Sequence, residues 1–407
     1  LIRKTLLRTP PDPTSFRRRD IHELLFLAKQ FWSLGEKEIY EYVRFFTLSA
    51  VDFLEDYFEN ELIKQSKASS GIIGTALGVY SPGSSYILLH HVMGDVDGSI
   101  GAWGLARGGM GAISKSIASA FQSFGGEIRT NAGVSQILVE RGKAVGVALK
   151  NGDEIRARVV VSNLDAKRTF TQIMDKNDLP PGIYEKAKNF KIRGSSGKVN
   201  IALSALPKFS NVPDNAYVNR GGLEFTGSLE TMERAYDCWK RGRFSDDPYI
   251  EGVIPSAWDP TVAPPGKHWM SNFIQYCPAE LADGPWTPEK RDLFGQTVID
   301  KIARYSPGFK DLIVHMEVRT PHEIEQEIGL TEGNIFQGEL TIDQLFFNRP
   351  FPGYAQYRMP LKNMYMCGSS THPGGGVSAA CGANAAREIL IDLKRPNSVP
   401  ADDFDDE

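Results

Sequence analysis

The chain has 407 residues, 41% hydrophobic and 10% aromatic, enough for more than one packed core and too apolar for a disordered chain. Its formal net charge is −4, and five of the acids (Asp402, Asp403, Asp405, Asp406, Glu407) sit in a terminal tail, so the body is close to neutral and carries no nucleic-acid footprint. Apolar runs are too short for a membrane-spanning helix, and the four cysteines (Cys238, Cys277, Cys367, Cys381) form no CxxC, which argues against a disulfide scaffold or zinc ribbon and fits a reducing compartment.

Residues 1–20 are basic and interrupted by Pro10, Pro11 and Pro13, an exposed connector. Ile21, Leu24, Leu25, Ala28, Phe31 and Trp32 then fall at helical spacing. A second helix is expected from about Ser49, with Leu54, Phe58 and Leu62 at i, i+4 and i+8. Packing between helices is the ordinary reading of both; the basic arm beside an apolar helix also fits peripheral membrane contact. Residues 68–111 are glycine-rich, in the segments SGIIGTALG and DGSIGAWGLARGGMG. Met110, Ile113, Ile117 and Phe121 form a helical stripe that Gly125-Gly126 stops. Strands follow, EIRTNAGVSQILVE, AVGVALK and EIRARVVVSN, with turns at Arg141-Gly142-Lys143 and Asn151-Gly152. VVV at 159–161 reads as a strand of a buried parallel sheet.

From about 166 to 345 short strands (KVNIALSAL, PYIEGVIPSAW, HWMSNFIQYCP) alternate with loops and two helices, one at about 287–305, which reads as a mixed α+β domain inserted into the first. The end is sharper: NMYMCGSS is a strand, THPGGGV a glycine loop and SAACGANAAREILIDL a helix starting near Val377. That layout aims free backbone amides at an anion or dipole, and would favour a flat conjugated ring that gains electrons. Gly374, Gly375 and Gly376 would let backbone meet a ligand face; the alternative is a turn that merely caps the helix. His372 adjoins this loop and is read as a hydrogen-bonding side chain. No metal-ligand spacing, no GxSxG nucleophile elbow and no convincing acid–base pair occurs, so the catalytic residues are unassigned. GxGxxG is absent. Phe346, Phe347, Phe351, Tyr354 and Tyr357 could line an apolar tunnel, with burial in the core as the default.

The run YMCGSSTHPGGGVSAACGANAAREIL closely resembles the C-terminal flavin motif of the phytoene desaturase-like (carotenoid desaturase type) FAD oxidoreductases. WGLARGGMGAISKSIASAF and GVALKNGDEIRARVVVSN agree with it. IPSAWDPTVAPPGKH and TPHEIEQEIGLTEGNIFQGELTIDQLFFNRP are more similar to the branch of pyridine nucleotide-disulfide oxidoreductase domain-containing protein 2. The resemblance runs from about residue 50 to 395 and implies an FAD/NAD(P)-binding Rossmann-like domain, here incomplete, interleaved with a mixed substrate-binding domain. The expected division is 1–100 helical cap with connector, 101–165 FAD-domain segment, 166–345 substrate domain, 346–395 C-terminal FAD-domain segment and 396–407 acidic tail.

The resemblance implies FAD as cofactor. Gly368 and Ser369 would lie by the ribityl and phosphate chain, Gly374, Gly375, Gly376 and Val377 by the isoalloxazine, and Val134 by the adenine, with Ser162 and Asn163 ending a neighbouring strand. Many relatives carry an acid where Ser369 stands. Gly108, Gly109, Met110 and His372 would be substrate-proximal. The implied reaction is hydride transfer from a substrate C–H to flavin, with an apolar small molecule as the implied substrate. With Leu1 first and no GxGxxG, the expectation is a piece of a longer flavoenzyme. Alternatives are a non-catalytic interaction protein on the same fold and an amine-oxidase-like flavoenzyme. Cytoplasm is the default location and a mitochondrial matrix the alternative.

Overall fold

The computed structural model describes residues 8–394 apart from 211 and 214–216; the acidic tail and the first seven residues of the basic arm lie outside the described residues. Two compact units emerge, each assembled from separated stretches. The first comprises Leu1–Arg44, Thr130–Arg193 and Asn334–Glu407, the second Phe45–Arg129 and Gly194–Gly333. The chain therefore changes unit near residues 44, 129, 193 and 333, where the sequence boundaries stood at 100, 165 and 345. At the N-terminal end the reason is specific. Arg19 donates to Glu388 at 2.7 and 2.6 Å, and Gln356 Nε2 donates to Asp20 at 2.7 Å, so the first helix is tied to the C-terminal stretch.

The first unit holds an antiparallel sheet of Val134–Glu140, Lys143–Leu149 and Glu154–Arg156. The turn between the first two strands has Arg141 at φ 49° and Gly142 at φ 73°, the left-handed pair that a two-residue hairpin loop requires. Beside it, Val160–Ser162 pairs in parallel with Met364–Met366. Val160, Met364 and Met366 are buried with Ile137, Phe170, Phe190, Phe351 and Met359. Val161 faces outward, so this strand is covered on one side where the sequence pattern suggested two. Phe351 packs between Phe170 and Phe190, and Tyr357 is fully buried: these tunnel candidates are core residues.

The second unit is built on a five-stranded antiparallel sheet in the order Ile313–Arg319, Ser196–Leu203, His268–Gln275, Tyr249–Val253, Leu223–Phe225. Val199, Ile201, Leu203, Ile250, Met270 and Ile274 cover one face and meet Phe294, Val298, Ile299 and Ile302 of the helix Pro288–Tyr305. Gly197 is a glycine because a Cβ there would sit 2.9 Å from the Phe294 ring. That helix starts where the sequence placed it, with the Thr287 side chain accepting the Lys290 N–H.

The expected long helix from Ser49 is two short ones, Ala50–Glu55 and Glu61–Ser69. Asn60 caps the second by accepting the Leu62 and Ile63 amides, and that cap interrupts the i, i+4, i+8 run. Leu54 is buried and Leu62 is exposed. A further helix, Glu36–Thr47, was not visible in the pattern and has no buried residue.

Candidate functional site

Parallel strands bind ligands beyond their carboxyl ends, where loops diverge. In the first unit those ends are Ser162-Asn163 and Cys367-Gly368-Ser369. The Cys367 amide donates to the Ser162 carbonyl at 3.0 Å, so the two ends lie side by side. Gly368 must be a glycine: a Cβ would stand 2.5 Å from the Asn163 carbonyl oxygen and 2.7 Å from Gln337 Oε1. Ser162 is buried and shares a 2.8 Å hydrogen bond with Thr169. Ser370 is buried; its hydroxyl donates to the Gln337 carbonyl at 2.5 Å and accepts the Ala166 amide at 2.9 Å. Val134 opens the antiparallel sheet opposite Leu149, half-buried. Burial pushes the Cys367 thiol up to about 11, so this cysteine is a neutral packing group near neutral pH.

The glycine loop is more tightly built than its sequence suggests. Gly374 has φ 107° and Gly376 φ 139°, backbone that favours glycine. Gly374 and Gly375 are buried, and a Cβ on them would meet Leu340 at 2.6 Å and the Phe336 ring at 2.3 Å. The faces expected to lie open to a ligand are thus turned onto protein. The open part is Gly376–Ala379, with Val377 80% exposed. The helix runs Ala380–Asp392, three residues later than expected, and Ala379 precedes it in the left-handed conformation at φ 56°. His372 is fully buried, edge-on to the Phe346 ring, and its carbonyl accepts the Tyr357 hydroxyl at 2.6 Å.

One residue that sequence reasoning missed organises this loop. Arg349 is completely buried, and its guanidinium donates to main-chain carbonyls: Ser369 at 3.0 and 2.6 Å, Phe336 at 2.9 Å, Glu339 at 3.0 Å, Gly338 at 3.2 Å and Gln344 at 3.4 Å. The planar fork of arginine suits this, since five donors in fixed directions can hold several backbone strands at once. Through Ser369, Arg349 fixes the end of the last strand.

A cleft of ≈ 520 Å³ opens at the opposite, amino ends of the parallel strands, lined by Val159, Arg358, Lys362, Tyr365 and Asp392 among others. Arg358, Tyr365 and Asp392 are already engaged. Arg358 bonds Asp392 at 2.7 and 2.9 Å and Glu388 at 2.6 Å, and Tyr365 donates to Asp392 at 2.6 Å.

Gly108, Gly109 and Met110 belong to the second unit, whereas the other predicted site residues belong to the first. Gly108 and Gly109 have φ +83° and +86°, and the Gly108 amide donates to Asp259 Oδ2 at 2.6 Å. Thr261 donates to Asp259 through both amide and hydroxyl, at 2.9 and 2.6 Å, and these bonds hold the Asp259 carboxyl below its ordinary range. Asp259 thereby pins the glycine turn that the resemblance puts near substrate.

The second unit also carries a polar sheet face that the sequence did not announce. Glu224 stands opposite Glu251, and Lys198 lies in the same row across Phe273. The next row contains Ser271 and Asn200. Lys198 donates to Ser271 at 2.7 Å, and Ser271 donates to Asn200 at 3.1 Å. Burial pushes the Glu251 carboxyl up, helped by Glu224 and opposed by Lys198; burial lowers the Lys198 ammonium against the pull of Glu251. This face can hold a hydrogen-bonding or charged group. Among the described residues no group of three or more His, Cys, Asp or Glu could hold a metal ion.

The family model described as flavin containing amine oxidoreductase matches residues 30–274. The chain is 37% identical over 401 residues to pyridine nucleotide-disulfide oxidoreductase domain-containing protein 2 of Mus musculus, covering 95% of this chain and 69% of that one. It is 27% identical over 299 residues to a phytoene desaturase (neurosporene-forming) of Rhodobacter capsulatus, covering 73% of this chain and 55% of that one. Among solved structures, an oxidoreductase from Methanosarcina mazei superposes with a TM-score of 0.54 at 17% identity, covering 89% of this chain and 74% of that one. The chain thus spans only part of the length of these relatives.

Proposed function

The chain belongs to the flavin-containing amine oxidoreductase family, and on that premise we propose that it serves an FAD-dependent oxidoreductase of the desaturase or dehydrogenase kind, acting on a substrate C–H bond. The observation that carries this reading is the strand, glycine loop and helix at the carboxyl end of a parallel pair, Met364–Met366 through Ala380–Asp392. The residues present fit one part of an FAD site. Gly368 allows the close approach of the two strand ends, and Gly376–Ala379 leaves open backbone before a helix N-terminus. No GxGxxG pyrophosphate loop occurs in the sequence.

When bound, FAD supplies the two-electron acceptor for the substrate hydride. Gly368, Ser369 and Gly376–Ala379 would hold it, and Val134, Ser162 and Asn163 would flank it. The first amides of the Ala380–Asp392 helix favour negative charge at its start. Arg349 and Ser370 hold the loop in place, so the geometry is set before any ligand arrives. Gly108–Met110, pinned by Asp259, would lie toward substrate. Similarity to a phytoene desaturase supports an apolar substrate. An amine substrate is the alternative within the same chemistry. No helix among the described residues is long and apolar enough to cross a membrane. Four cysteines free of disulfides fit a reducing compartment, cytoplasm or mitochondrial matrix.

The test is flavin uptake by this chain and by a form extended at its N-terminus, read from visible absorbance and bleaching on reduction. The expected result is a yellow, reducible extended form that turns colourless in Gly375→Phe, because the new side chain would displace Phe336 from the loop. Normal flavin content in Gly375→Phe refutes the site. Failure of both chains to take up FAD would favour a non-catalytic partner-binding protein on the same fold.

A further inference from the structure

We propose that the cleft at the amino ends of the parallel strands is the docking surface of the chain's own acidic segment, Ala401–Glu407. An apolar lining and a set of cations without acids meet there. Met359, Leu361 and Met364 line the cleft and are buried, and Pro360 and Leu393 complete its apolar part. Its volume of ≈ 520 Å³ suits a small ligand or a few side chains. Lys362 also lines it and is exposed. Lys143 is the bridge partner of Lys362 in the neighbouring strand, where the Lys362 amide donates to the Gly142 carbonyl at 3.2 Å. Arg158 precedes the lining residue Val159, and Lys394 follows the lining residue Leu393. All four cations are exposed, and among the described residues none has an ion-pair or hydrogen-bond partner for its side chain.

The acids nearby do not serve these cations, because arginines already hold them. Arg358 bonds Asp392 at 2.7 and 2.9 Å, and Glu388 receives both Arg358 and Arg19 at 2.6 Å. Glu140, opposite Lys143 at the hairpin end, pairs with Arg156 at 2.5 Å. The rim is left with a surplus of positive charge beside an apolar lining. A matching occupant carries several carboxylates around one apolar group. The run ADDFDDE at 401–407 has that pattern, with Phe404 in the midst of its five acids. It is also attached at the cleft. Phe404 is ten positions beyond Lys394, and an extended chain of that length reaches up to about 33 Å, ample for a return to Pro360 and Leu361. A segment tethered in this way meets its site at roughly millimolar effective concentration, so individually weak ion pairs suffice to hold it. The contact stands apart from the flavin reading, whose glycine loop lies at the other ends of the same strands.

The experiment places the photo-crosslinker p-benzoylphenylalanine at position 404 of the full 407-residue chain and maps its crosslinks by mass spectrometry, with lysine acetylation as a footprint alongside. The expected result is intramolecular crosslinking to residues 358–364 or 393, weakened at about 1 M salt. Arg158→Glu with Lys362→Glu should lower the yield by about tenfold or more, since two attractive contacts become repulsive. Circular dichroism should be unchanged in that variant, as both positions are exposed. Replacing Asp402, Asp403, Asp405 and Asp406 together by Asn should speed acetylation of Lys143 and Lys362 several-fold. Crosslinks that map elsewhere, a yield undiminished in the Arg158→Glu, Lys362→Glu variant, or equal acetylation with and without the aspartates overturns the proposal. So does a crosslinked dimer whose yield rises with concentration, which would put the segment on a second copy.

Discussion

Replacing Arg349 by Met removes a buried guanidinium from five carbonyl oxygens, those of Phe336, Gly338, Glu339, Gln344 and Ser369. Hydrogen bonds to a charged group contribute about 1.5–3 kcal/mol each, and the desolvation cost of burying the cation offsets much of their sum. The variant no longer bears that cost, but it leaves several acceptors dry. The measured losses for breaking buried charge contacts, about 3–5 kcal/mol, set the expectation at about 4 kcal/mol. Arg349→Lys is the sharper variant. It keeps the charge but has three donors without the planar fork, so it can serve at most part of the set and should lose about 2 kcal/mol. Urea unfolding followed by near-ultraviolet circular dichroism gives both numbers, and limited proteolysis at residues 367–379 shows whether the glycine loop has loosened. A loss below about 1 kcal/mol for Arg349→Met, or an Arg349→Lys protein equal to wild type, would refute the view that the fork holds the loop.

Two further outcomes follow from the second unit. Because burial raises the Glu251 carboxyl above its unfolded value, the folded chain binds the extra proton. That contribution to stability is full below the unfolded value and is lost as pH rises through the folded one. Glu251→Gln should therefore be more stable than wild type near pH 7, with the difference fading toward pH 4; unfolding midpoints across that range decide it, and an unchanged or reversed difference contradicts the burial argument. Asp259→Ala removes the acceptor of the Gly108 amide, so hydrogen exchange in residues 106–110 should quicken by about tenfold, the equivalent of one hydrogen bond. Unaltered exchange there would mean that Asp259 does not hold the turn.

Local signals carried well. Arg141-Gly142 and Asn151-Gly152 mark real hairpins, and Thr287 caps the helix it was expected to begin. KVNIALSAL alternates Lys198, Asn200 and Ala202 with Val199, Ile201 and Leu203, and the latter three are core. The polar members of that alternation, Lys198 and Asn200, lie on the polar face of the sheet. What it could not show was that Glu251, far along the chain, shares a row with Lys198, because strand pairing is fixed by topology rather than by either segment. Arg349 was invisible for a similar reason. An arginine before a proline looks like a surface loop residue, and only the convergence of 336–344 and 369 on one point gives its six bonds a place to go. The glycines were recognised as special, but the neighbours that demand them, Phe336 and Leu340, come from elsewhere in the chain.

The parallel pair also has a consequence for synthesis. Val160–Ser162 has its partner in Met364–Met366, and Ala166 donates to Ser370 across 204 positions of sequence. A ribosome adding about 5–20 residues per second needs roughly 10–40 s to supply the second strand after the first has emerged. Throughout that interval the second unit's Gly194–Gly333 stretch is made and can fold, while the apolar Val160 and the backbone edge of its strand wait uncovered. The nascent chain is thus an open strand edge tethered to a forming sheet, the kind of surface that holdase chaperones shield and that aggregation exploits. Expression yield should accordingly depend more on translation speed through residues 163–363 than on the stability of the finished protein.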